Sequence, residues 1–281
     1  MNISLCDPGR VAVTKRYLME LLTMKIIDQL FAINGRVALV TGGSSGIGRA
    51  IAFCLAEAGA AVIHVARKEE ALKRAVKDVE HISGKAAYVT CDVSDMDALV
   101  KTAEKSASFF GAPDILVNAA GVNMRQSWED ISSKSWDKQI DINLKAPFFL
   151  ARHLIPAMME KGWGRIINIG SLQSERAFPN SVPYGASKGG VMQLTRAMAE
   201  AWSAEESGIT CNAIAPGFFK TGLTSGLYKQ ERVIDVLARS TIIGRNGELD
   251  DLKGVAIFLA SPASDYITGQ TIYVDGGWTA K

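Results

Sequence analysis

Cysteine and histidine are scarce in this sequence, and their positions do not form a metal site. Its 281 residues include four cysteines, none in a CxxC pair, and three histidines without metal-ligand spacing. Structural zinc sites and disulfide scaffolds both depend on such spacings, so neither is expected, and no metal is predicted. Scattered cysteines are typical of a reducing compartment, which favours a cytoplasmic protein.

Long apolar runs and a strong net charge are also missing. No apolar stretch approaches the roughly 18 residues that a membrane-spanning helix requires, so no membrane partner is expected. The formal net charge of +2 gives no reason to expect a nucleic-acid partner. With 48% hydrophobic and 21% charged residues, the chain has the composition of a globular domain that can bury a large core.

What the sequence does contain is a repeated alternation of short apolar runs and longer helical patterns. The runs that indicate strands lie at 36–42, 61–66, 86–91, 114–118, 165–170, 209–215 and 270–276. They are continuous rather than alternating, as expected when helices cover both faces of a parallel sheet. The sequence therefore predicts a single-domain, Rossmann-like α/β fold with a doubly wound, seven-stranded parallel sheet and helices on both faces.

The first part of the chain does not follow this alternation. Residues 1–33 are expected to form an N-terminal extension, part of which could be helical. Lys15, Arg16 and Glu20 interrupt its apolar stretch, and it has no small-residue cleavage site, so it does not resemble a secretion signal. Residues 34–281 form the predicted catalytic domain, in which no linker is visible.

A glycine-rich turn, TGGSSGIG at 41–48, lies between the first predicted strand and the first predicted helix. Gly42, Gly46 and Gly48 permit a tight turn and close approach of the backbone to a pyrophosphate at the helix N-terminus. A purely structural turn is the alternative, but the strand–turn–helix context favours dinucleotide binding. The residues expected to bind the cofactor here are Gly42, Ser44, Ser45, Gly46, Ile47 and Gly48.

The end of the second predicted strand bears on the choice of cofactor. An NAD-specific site usually offers an Asp or Glu there to the adenosine ribose. This sequence instead has Ala66 followed by Arg67 and Lys68. A guanidinium would bind a 2′-phosphate, often through two hydrogen bonds, whereas a carboxylate would repel it. A solvated basic helix start is the alternative reading, but we predict NADP(H) over NAD(H).

These features and several motifs downstream resemble the short-chain dehydrogenase/reductase family, from Gly35 to the C-terminus. TGGSSGIG is similar to the family's TGxxxGxG turn, CDVSD to its adenine-contacting segment, NAAG to its NNAG motif, PGFFKT to its PGxxxT segment, and YVDGG to its ending. Ala119 replaces the second Asn of NNAG, which leaves Asn118 alone to brace the central strand. The resemblance extends the expected cofactor contacts to Asp92, Val93, Asn118, Ala119, Ala120, Gly121, Pro216, Gly217 and Thr221, the last of these holding the nicotinamide carboxamide.

Asn143, Ser171, Tyr184 and Lys188 fall where the family has its catalytic tetrad. A phenol has a pKa of about 10, which an ammonium one helical turn away is expected to lower. Ser171 follows a strand at the carboxyl edge of the sheet, where it would hydrogen-bond a substrate carbonyl. The resemblance implies that Tyr184 and Lys188 also contact the cofactor, and that Asn143 supports a water relaying protons to Lys188.

Polar residues after the strand ends are the candidates for substrate binding. They are Asn123, Arg125, Gln173 and Glu175. Their polarity favours a hydroxylated substrate over a steroid, and Arg125 could pair with a substrate carboxylate; ordinary surface residues beside a loop are the alternative. A lid over the substrate is predicted near 218–240, where Gly222 and Gly226 could permit movement.

These patterns predict an NADP(H)-dependent oxidoreductase that interconverts a secondary alcohol and a ketone on a small-molecule substrate. INIGSLQSE, PYGASKGGV and APGFFKTGLT are most similar to the gluconate 5-dehydrogenase group of the family, which implies a sugar acid or polyol. A 3-oxoacyl-carrier reductase or general carbonyl reductase is the alternative within the family, and a non-catalytic nucleotide-binding sensor the alternative outside it. The family usually forms tetramers or dimers, and the apolar stretches 136–160 and 184–202 could provide the contacts of a homo-oligomer.

Overall fold

Seven parallel strands form one sheet in the computed structural model, which describes residues 25–204 and 206–281. The strands are β1 (Val37–Thr41), β2 (Ala61–Ala66), β3 (Ala86–Thr90), β4 (Ile115–Asn118), β5 (Gly164–Ile169), β6 (Ile209–Pro216) and β7 (Thr271–Val274). Their order is β3-β2-β1-β4-β5-β6-β7, so the chain winds outward from the centre in both directions. This doubly wound, Rossmann-like sheet confirms the predicted fold class.

Helices cover both faces of the sheet. They are α1 (Gly46–Glu57), α2 (Glu69–His81), α3 (Met96–Phe110), α4 (Ser133–Ile140), α5 (Ala146–Lys161), α6 (Val182–Trp202), α7 (Glu231–Arg239) and α8 (Lys253–Ala260). A π-helical turn, Asp141–Lys145, joins α4 to α5. The core divides into two clusters, one with residues of α3, α5 and α6 and the other with residues of α1 and α8. The strands are buried between the two, which explains their continuous apolar runs.

The predicted N-terminal extension, 1–33, falls largely outside the described residues, which begin at Lys25. Residues 25–30 are helical and exposed, whereas Ile33 is fully buried in the cluster that contains α1. The boundary between extension and domain stays a prediction. Within 25–204 and 206–281, no helix is both long and apolar enough to cross a membrane.

A buried polar network ties α6 to the centre of the sheet. Asn118 Nδ2 donates to Asn168 Oδ1 at 2.9 Å, which links the ends of β4 and β5. Asn168 Nδ2 in turn donates to Thr195 Oγ1 of α6 at 3.0 Å. All three residues are nearly or fully buried, so their hydrogen bonds replace water that folding removes. The network fixes α6 against the strands and thereby positions the residues that this helix carries.

Asp114 holds the opposite, amino edge of the sheet together. Its side chain is buried, and its Oδ2 accepts a hydrogen bond of 2.8 Å from the backbone N–H of Val37 in β1. Its Oδ1 accepts from Lys161 Nζ, also at 2.8 Å. The carboxylate therefore satisfies a buried backbone donor and pairs with a cation at the end of α5.

We expect Asp114→Ala to lower the free energy of unfolding by about 1–3 kcal/mol, because the buried Val37 N–H loses its acceptor. Urea unfolding followed by circular dichroism measures this change. Glu104→Ala, on the exposed face of α3, is the control and should change the free energy by less than about 0.5 kcal/mol. Equal values for the two variants would contradict the assigned role of Asp114.

Candidate active site

A cavity of about 340 Å³ opens at the carboxyl edge of the sheet, where the strand order reverses between β1 and β4. Open α/β sheets bind ligands at such switch points. The cavity brings together the glycine turn, the loop after β4, the segment after β5, the start of α6 and the segment after β6. The predicted residues that line it are Gly42, Ser45, Gly46, Ile47, Gly48, Ala119, Ala120, Gly121, Asn123, Arg125, Ser171, Gln173, Tyr184, Lys188, Pro216, Gly217 and Thr221.

The other predicted site residues do not line this cavity. They are Ser44, Arg67, Lys68, Asp92, Val93, Asn118, Asn143 and Glu175. Arg67 follows β2 and Asp92 follows β3, so they lie one and two strands away from the glycine turn along the same edge. Arg67 Nη1 is 3.8 Å from Asp92 Oδ2, and both side chains are more than 40% exposed. They are therefore accessible to a ligand that extends along the edge from the cavity.

Two glycines of the turn are required by close packing. Gly42 has a φ of 67°, and a Cβ there would lie 2.9 Å from the carbonyl oxygen of Ala119. A Cβ on Gly48 would lie 2.5 Å from the carbonyl oxygen of Gly42. Both distances are too short for any other residue. Because α1 begins at Gly46, the turn presents the first N–H groups of this helix to the cavity, as an anionic pyrophosphate requires.

Thr41, at the end of β1, is a site residue that sequence reasoning missed. Its Oγ1 accepts hydrogen bonds of 3.1 Å from the backbone N–H groups of both Ala119 and Ala120. The hydroxyl thus joins the glycine turn to the loop after β4, the two walls that meet at the switch point. Its place at the head of TGGSSGIG was visible in the sequence, but its acceptor role depends on the pairing of β1 with β4.

Tyr184 and Lys188 lie one turn apart near the start of α6. Pro183 occupies the first turn of that helix, where its missing N–H costs nothing. Only 7% of Tyr184 and 5% of Lys188 is exposed. Lys188 Nζ donates to the carbonyl oxygen of Ile169, at the end of β5, at 2.6 Å and lies 5.8 Å from the centre of the Tyr184 ring.

Burial controls the protonation of both side chains. It raises the pKa of the Tyr184 phenol, although a hydrogen bond with Ser171 and the charge of Arg125 act in the opposite direction. It lowers the pKa of Lys188 to about 8. The net shift is therefore opposite to the lowering expected from Lys188, because loss of water from the phenolate outweighs the hydrogen bond with Ser171 and the charge of Arg125. The site holds a neutral phenol that can donate its proton.

Ser171 is fixed by a short 3₁₀ turn, Leu172–Ser174. Its Oγ accepts from the backbone N–H of Gln173 at 3.1 Å, and its own N–H donates to Ser174 Oγ at 3.2 Å. Ser174 Oγ donates to the carbonyl oxygen of Lys188 at 2.8 Å. The segment after β5 is thus bonded to the helix that carries Tyr184 and Lys188, which sets Ser171 beside the phenol.

Asn143 lies in the π-helical turn and is almost fully buried. Its Oδ1 accepts from the N–H of Val122 at 2.9 Å, and its Nδ2 donates to the carbonyl of Val122 at 2.9 Å and to Ser187 Oγ at 3.0 Å. Ser187 Oγ donates to the carbonyl of Tyr184 at 2.7 Å. The observed contacts of Asn143 therefore hold the loop after β4 and α6 in place, and its link to Lys188 through water stays a prediction.

The predicted substrate residues divide into two groups. Asn123, Arg125 and Gln173 line the cavity. Arg125 has the unusual φ of 49°, and its N–H donates to Asn123 Oδ1 at 3.1 Å. A left-handed backbone at a bulky residue is strained, and such strain often accompanies a functional position. Glu175 is exposed and is not among the lining residues, so the structure does not place it in the cavity wall.

An aromatic wall, Phe178, Phe218 and Trp278, was not found from the sequence. Phe178 and Phe218 line the cavity, with ring centroids 5.7 Å apart. Trp278 packs against them with centroids 6.0 and 5.3 Å away, respectively. No local pattern distinguishes these residues from core aromatics, since they come from three distant parts of the chain.

The predicted lid, near 218–240, begins at the cavity. Phe218, Phe219 and the stretch 221–224 are among the lining residues. Thr221 lies next to the glycine turn, because a Cβ on Gly46 would be 3.3 Å from its Cβ. Helix α7, which follows, contains no buried residue. This segment therefore covers part of the cavity with little anchoring from α7, while its movement stays a prediction.

Comparison with known proteins identifies relatives over nearly the whole chain. The family described as enoyl-(acyl carrier protein) reductase matches residues 42–279. The gluconate 5-dehydrogenase of Gluconobacter oxydans (strain 621H) is 41% identical over 256 residues, covering 90% of this chain and 98% of the relative. The 2-dehydro-3-deoxy-D-gluconate 5-dehydrogenase of Dickeya dadantii (strain 3937) is 39% identical over 258 residues, covering 91% and 100%.

Solved structures agree with these relatives. A gluconate 5-dehydrogenase from Burkholderia cenocepacia J2315, in complex with NADP and tartrate, has a TM-score of 0.85 and 39% identity, covering 90% of this chain and 98% of that one. Similarity at this identity and coverage extends through the glycine turn, the cavity and α6. The chain belongs to the short-chain dehydrogenase/reductase family.

Proposed function

We propose that the protein is an NADP(H)-dependent oxidoreductase that interconverts a secondary alcohol and a ketone on a sugar acid or related polyol, as a gluconate 5-dehydrogenase does. One observation carries the proposal: Ser171, Tyr184 and Lys188 line the same cavity as the glycine turn. A proton donor and a nucleotide-binding turn in one cavity are what hydride transfer to a carbonyl needs. The names of the relatives support the substrate class.

The cavity fits a nicotinamide dinucleotide. The space beside Gly42 and Gly48 admits only backbone, and the N-terminus of α1 faces the cavity. Arg67 would hold the 2′-phosphate, while Asp92 and Val93 would contact the adenine. Residues at and just after the ends of β4 and β6 would surround the nicotinamide half: Asn118, Ala119, Ala120, Gly121, Pro216, Gly217 and Thr221. When bound, the cofactor supplies or accepts the hydride.

The residues of the chain handle the proton and the developing charge. In the reducing direction, Tyr184 donates its phenolic proton to the carbonyl oxygen, and its raised pKa keeps that proton available. Ser171 hydrogen-bonds the same oxygen as charge develops on it. The Lys188 ammonium would stabilise the phenolate left behind and would hold the ribose of the bound cofactor. In the oxidising direction the same groups act in reverse.

The substrate side combines polar and aromatic surfaces. Arg125 would pair with a substrate carboxylate, and Asn123 and Gln173 would hydrogen-bond hydroxyls. The buried Gln173 Oε1 has no hydrogen-bond partner among the described residues, which suits an acceptor for a substrate hydroxyl. The apolar faces of Phe178 and Phe218 favour a second candidate, reduction of a 3-oxoacyl thioester. The description of the family, enoyl-(acyl carrier protein) reductase, also names an acyl-carrier substrate.

We also propose a cytoplasmic homo-oligomer, a tetramer or dimer. Support for an oligomer comes from apolar side chains that stay exposed near or on the long helices, such as Trp136 (38%) and Met159 (45%). Support for a reducing compartment comes from Cys54, Cys91 and Cys211, which are buried free thiols.

The substrate proposal predicts that keto-sugar acids will be reduced with a higher kcat/KM than acetoacetyl thioesters. Initial rates of NADPH oxidation across a panel of both classes, followed by absorbance, measure this. Tyr184→Phe is the control: the phenyl ring fills the same space but donates no proton, so turnover should fall by at least about a hundredfold. Faster thioester reduction would favour the second candidate, and near-normal turnover by a folded Tyr184→Phe protein would rule out the catalytic role of Tyr184.

The cofactor proposal predicts that Arg67→Asp will lower kcat/KM for NADPH by at least about tenfold, because a carboxylate repels the 2′-phosphate. The value for NADH, which lacks this phosphate, should be largely unchanged. Steady-state kinetics with each cofactor measure the ratio. Arg74→Asp, at an exposed position of α2, makes the same change in net charge and should leave the ratio unaltered. Equal ratios in both variants would contradict the role of Arg67.

The pKa of Lys188 predicts the pH dependence of reduction. Because that pKa is lowered to about 8, the ammonium is present below this pH and is lost above it. We expect kcat/KM for NADPH to be constant on the acid side and to decline above about pH 8. The Lys188→Arg protein should be slower, but its side chain keeps its charge, since an arginine pKa exceeds about 12. The pH at which kcat/KM declines should therefore be higher in this variant. The same midpoint in both proteins would show that Lys188 is not the titrating group.

A further inference from the structure

His64 is a fully buried histidine on β2 that lies beside the glycine turn. It pairs in register with Val40 of β1, just before the turn begins. Its Nδ1 is 2.9 Å from the carbonyl oxygen of Gly43. The proposed chemistry gives this residue no part, and its imidazole lies outside the cavity lining.

The contact with Gly43 determines which tautomer His64 adopts. A carbonyl oxygen only accepts, so Nδ1 carries the proton and donates it to Gly43. Nε2 is buried and has no hydrogen-bond partner within the described ranges. The pKa of His64 is lowered, chiefly by burial and also by the charge of Arg49. The hydrogen bond to Gly43 and the charge of Asp78 act in the opposite direction but do not outweigh burial. The ring is therefore a neutral donor with one fixed N–H.

Strand β2 holds both sides of the Gly43 backbone. The Gly43 N–H donates to the carbonyl of Val65 at 3.3 Å, while the Gly43 carbonyl accepts from His64. The approach is close, since a Cβ on Gly43 would lie 3.0 Å from His64 Nδ1 and 2.9 Å from the carbonyl oxygen of Val40. His64 and Val65 therefore fix the start of the turn against the sheet.

This restraint sets the direction of the next peptide group. In a planar trans peptide the C=O and the following N–H point in opposite directions. The Gly43 carbonyl points to His64, so the Ser44 N–H points away from it. That N–H has no backbone acceptor in the part of the chain that the structure describes. A backbone donor that is fixed in direction and unpaired is suited to an anion.

We propose that His64 is a positioning residue for the phosphate-binding turn. Its Nδ1–H holds the Gly43 carbonyl, and this orients the Ser44 N–H just before the cavity wall and positions Ser45, Gly46 and Ile47, which line that wall, for the cofactor pyrophosphate. Binding is tighter when the donors are pre-organised, because less freedom is lost when the ligand arrives. The inference rests on the proposed nucleotide-dependent function and adds to it a residue that lies outside the glycine motif.

The test compares two substitutions that differ in the donor. His64→Leu removes the N–H, and we expect the Kd for NADPH to rise about tenfold, with kcat at saturating cofactor within about twofold of wild type. His64→Asn keeps an amide N–H near the Nδ1 position and should bind NADPH within about threefold of wild type. NADPH fluorescence titration without substrate gives Kd, and steady-state kinetics give kcat and KM.

Ile63→Val is the matched control for damage to β2. Ile63 is fully buried on the opposite face of the same strand, so its truncation weakens packing without touching the turn. Its thermal midpoint should fall slightly while its Kd for NADPH stays at the wild-type value. If His64→Leu does not fold, His64→Val serves as the second variant without a donor.

Three results would overturn the inference. The first is wild-type affinity for NADPH in a folded variant that lacks the donor. The others are a loss of NADPH affinity in His64→Asn, or in Ile63→Val, as large as that in His64→Leu. Failure of the substrate proposal leaves this test intact, because Kd is measured without substrate. Should wild type prefer NADH, the cofactor choice fails, and the same ratios are measured with NADH, which carries the same pyrophosphate. A wild-type protein that binds neither nucleotide would overturn both proposals.

Discussion

The close packing of the glycine turn against the loop after β4 is the constraint on which the rest of the site depends. Gly42 and Ala119 approach so closely that no side chain fits between them, and Thr41 joins the two segments through backbone N–H groups. This packing places the N-terminus of α1 at the switch point of the sheet. The cavity, the access to the turn and the position of the helix dipole all follow from it.

On the other side of the cavity, geometry and protonation have a common cause. Tyr184 and Lys188 are buried because α6 packs against β6 and against the 3₁₀ turn that follows β5. Burial disfavours both the phenolate and the ammonium. A neutral phenol beside an amine that titrates near neutrality is suited to passing one proton in either direction. The carbonyl of Ile169 keeps the amine in place, so its position does not depend on its contact with the phenol.

The sequence was sufficient for the features that local pattern determines. Continuous apolar runs predicted the parallel sheet. The place of Ser171 after a strand and the four-residue spacing of Tyr184 and Lys188 predicted a common site, and all three line one cavity. It was insufficient where burial or long-range pairing decides. The pKa of Tyr184 is raised rather than lowered, because the sequence shows the lysine four residues away but not the burial that removes water from the phenol. Gln173 and Glu175 looked equivalent, but the 3₁₀ turn after β5 leaves only Gln173 in the cavity wall.

The network that fixes α6 consists only of amide and hydroxyl groups, from Asn118, Asn168 and Thr195. None of these groups gains or loses a proton in the range where proteins stay folded. The support that this network gives to α6 is therefore indifferent to acidity, whereas the reacting groups that this helix carries are sensitive to it. A change in rate with pH consequently does not arise from titration of the groups that tie α6 to the sheet.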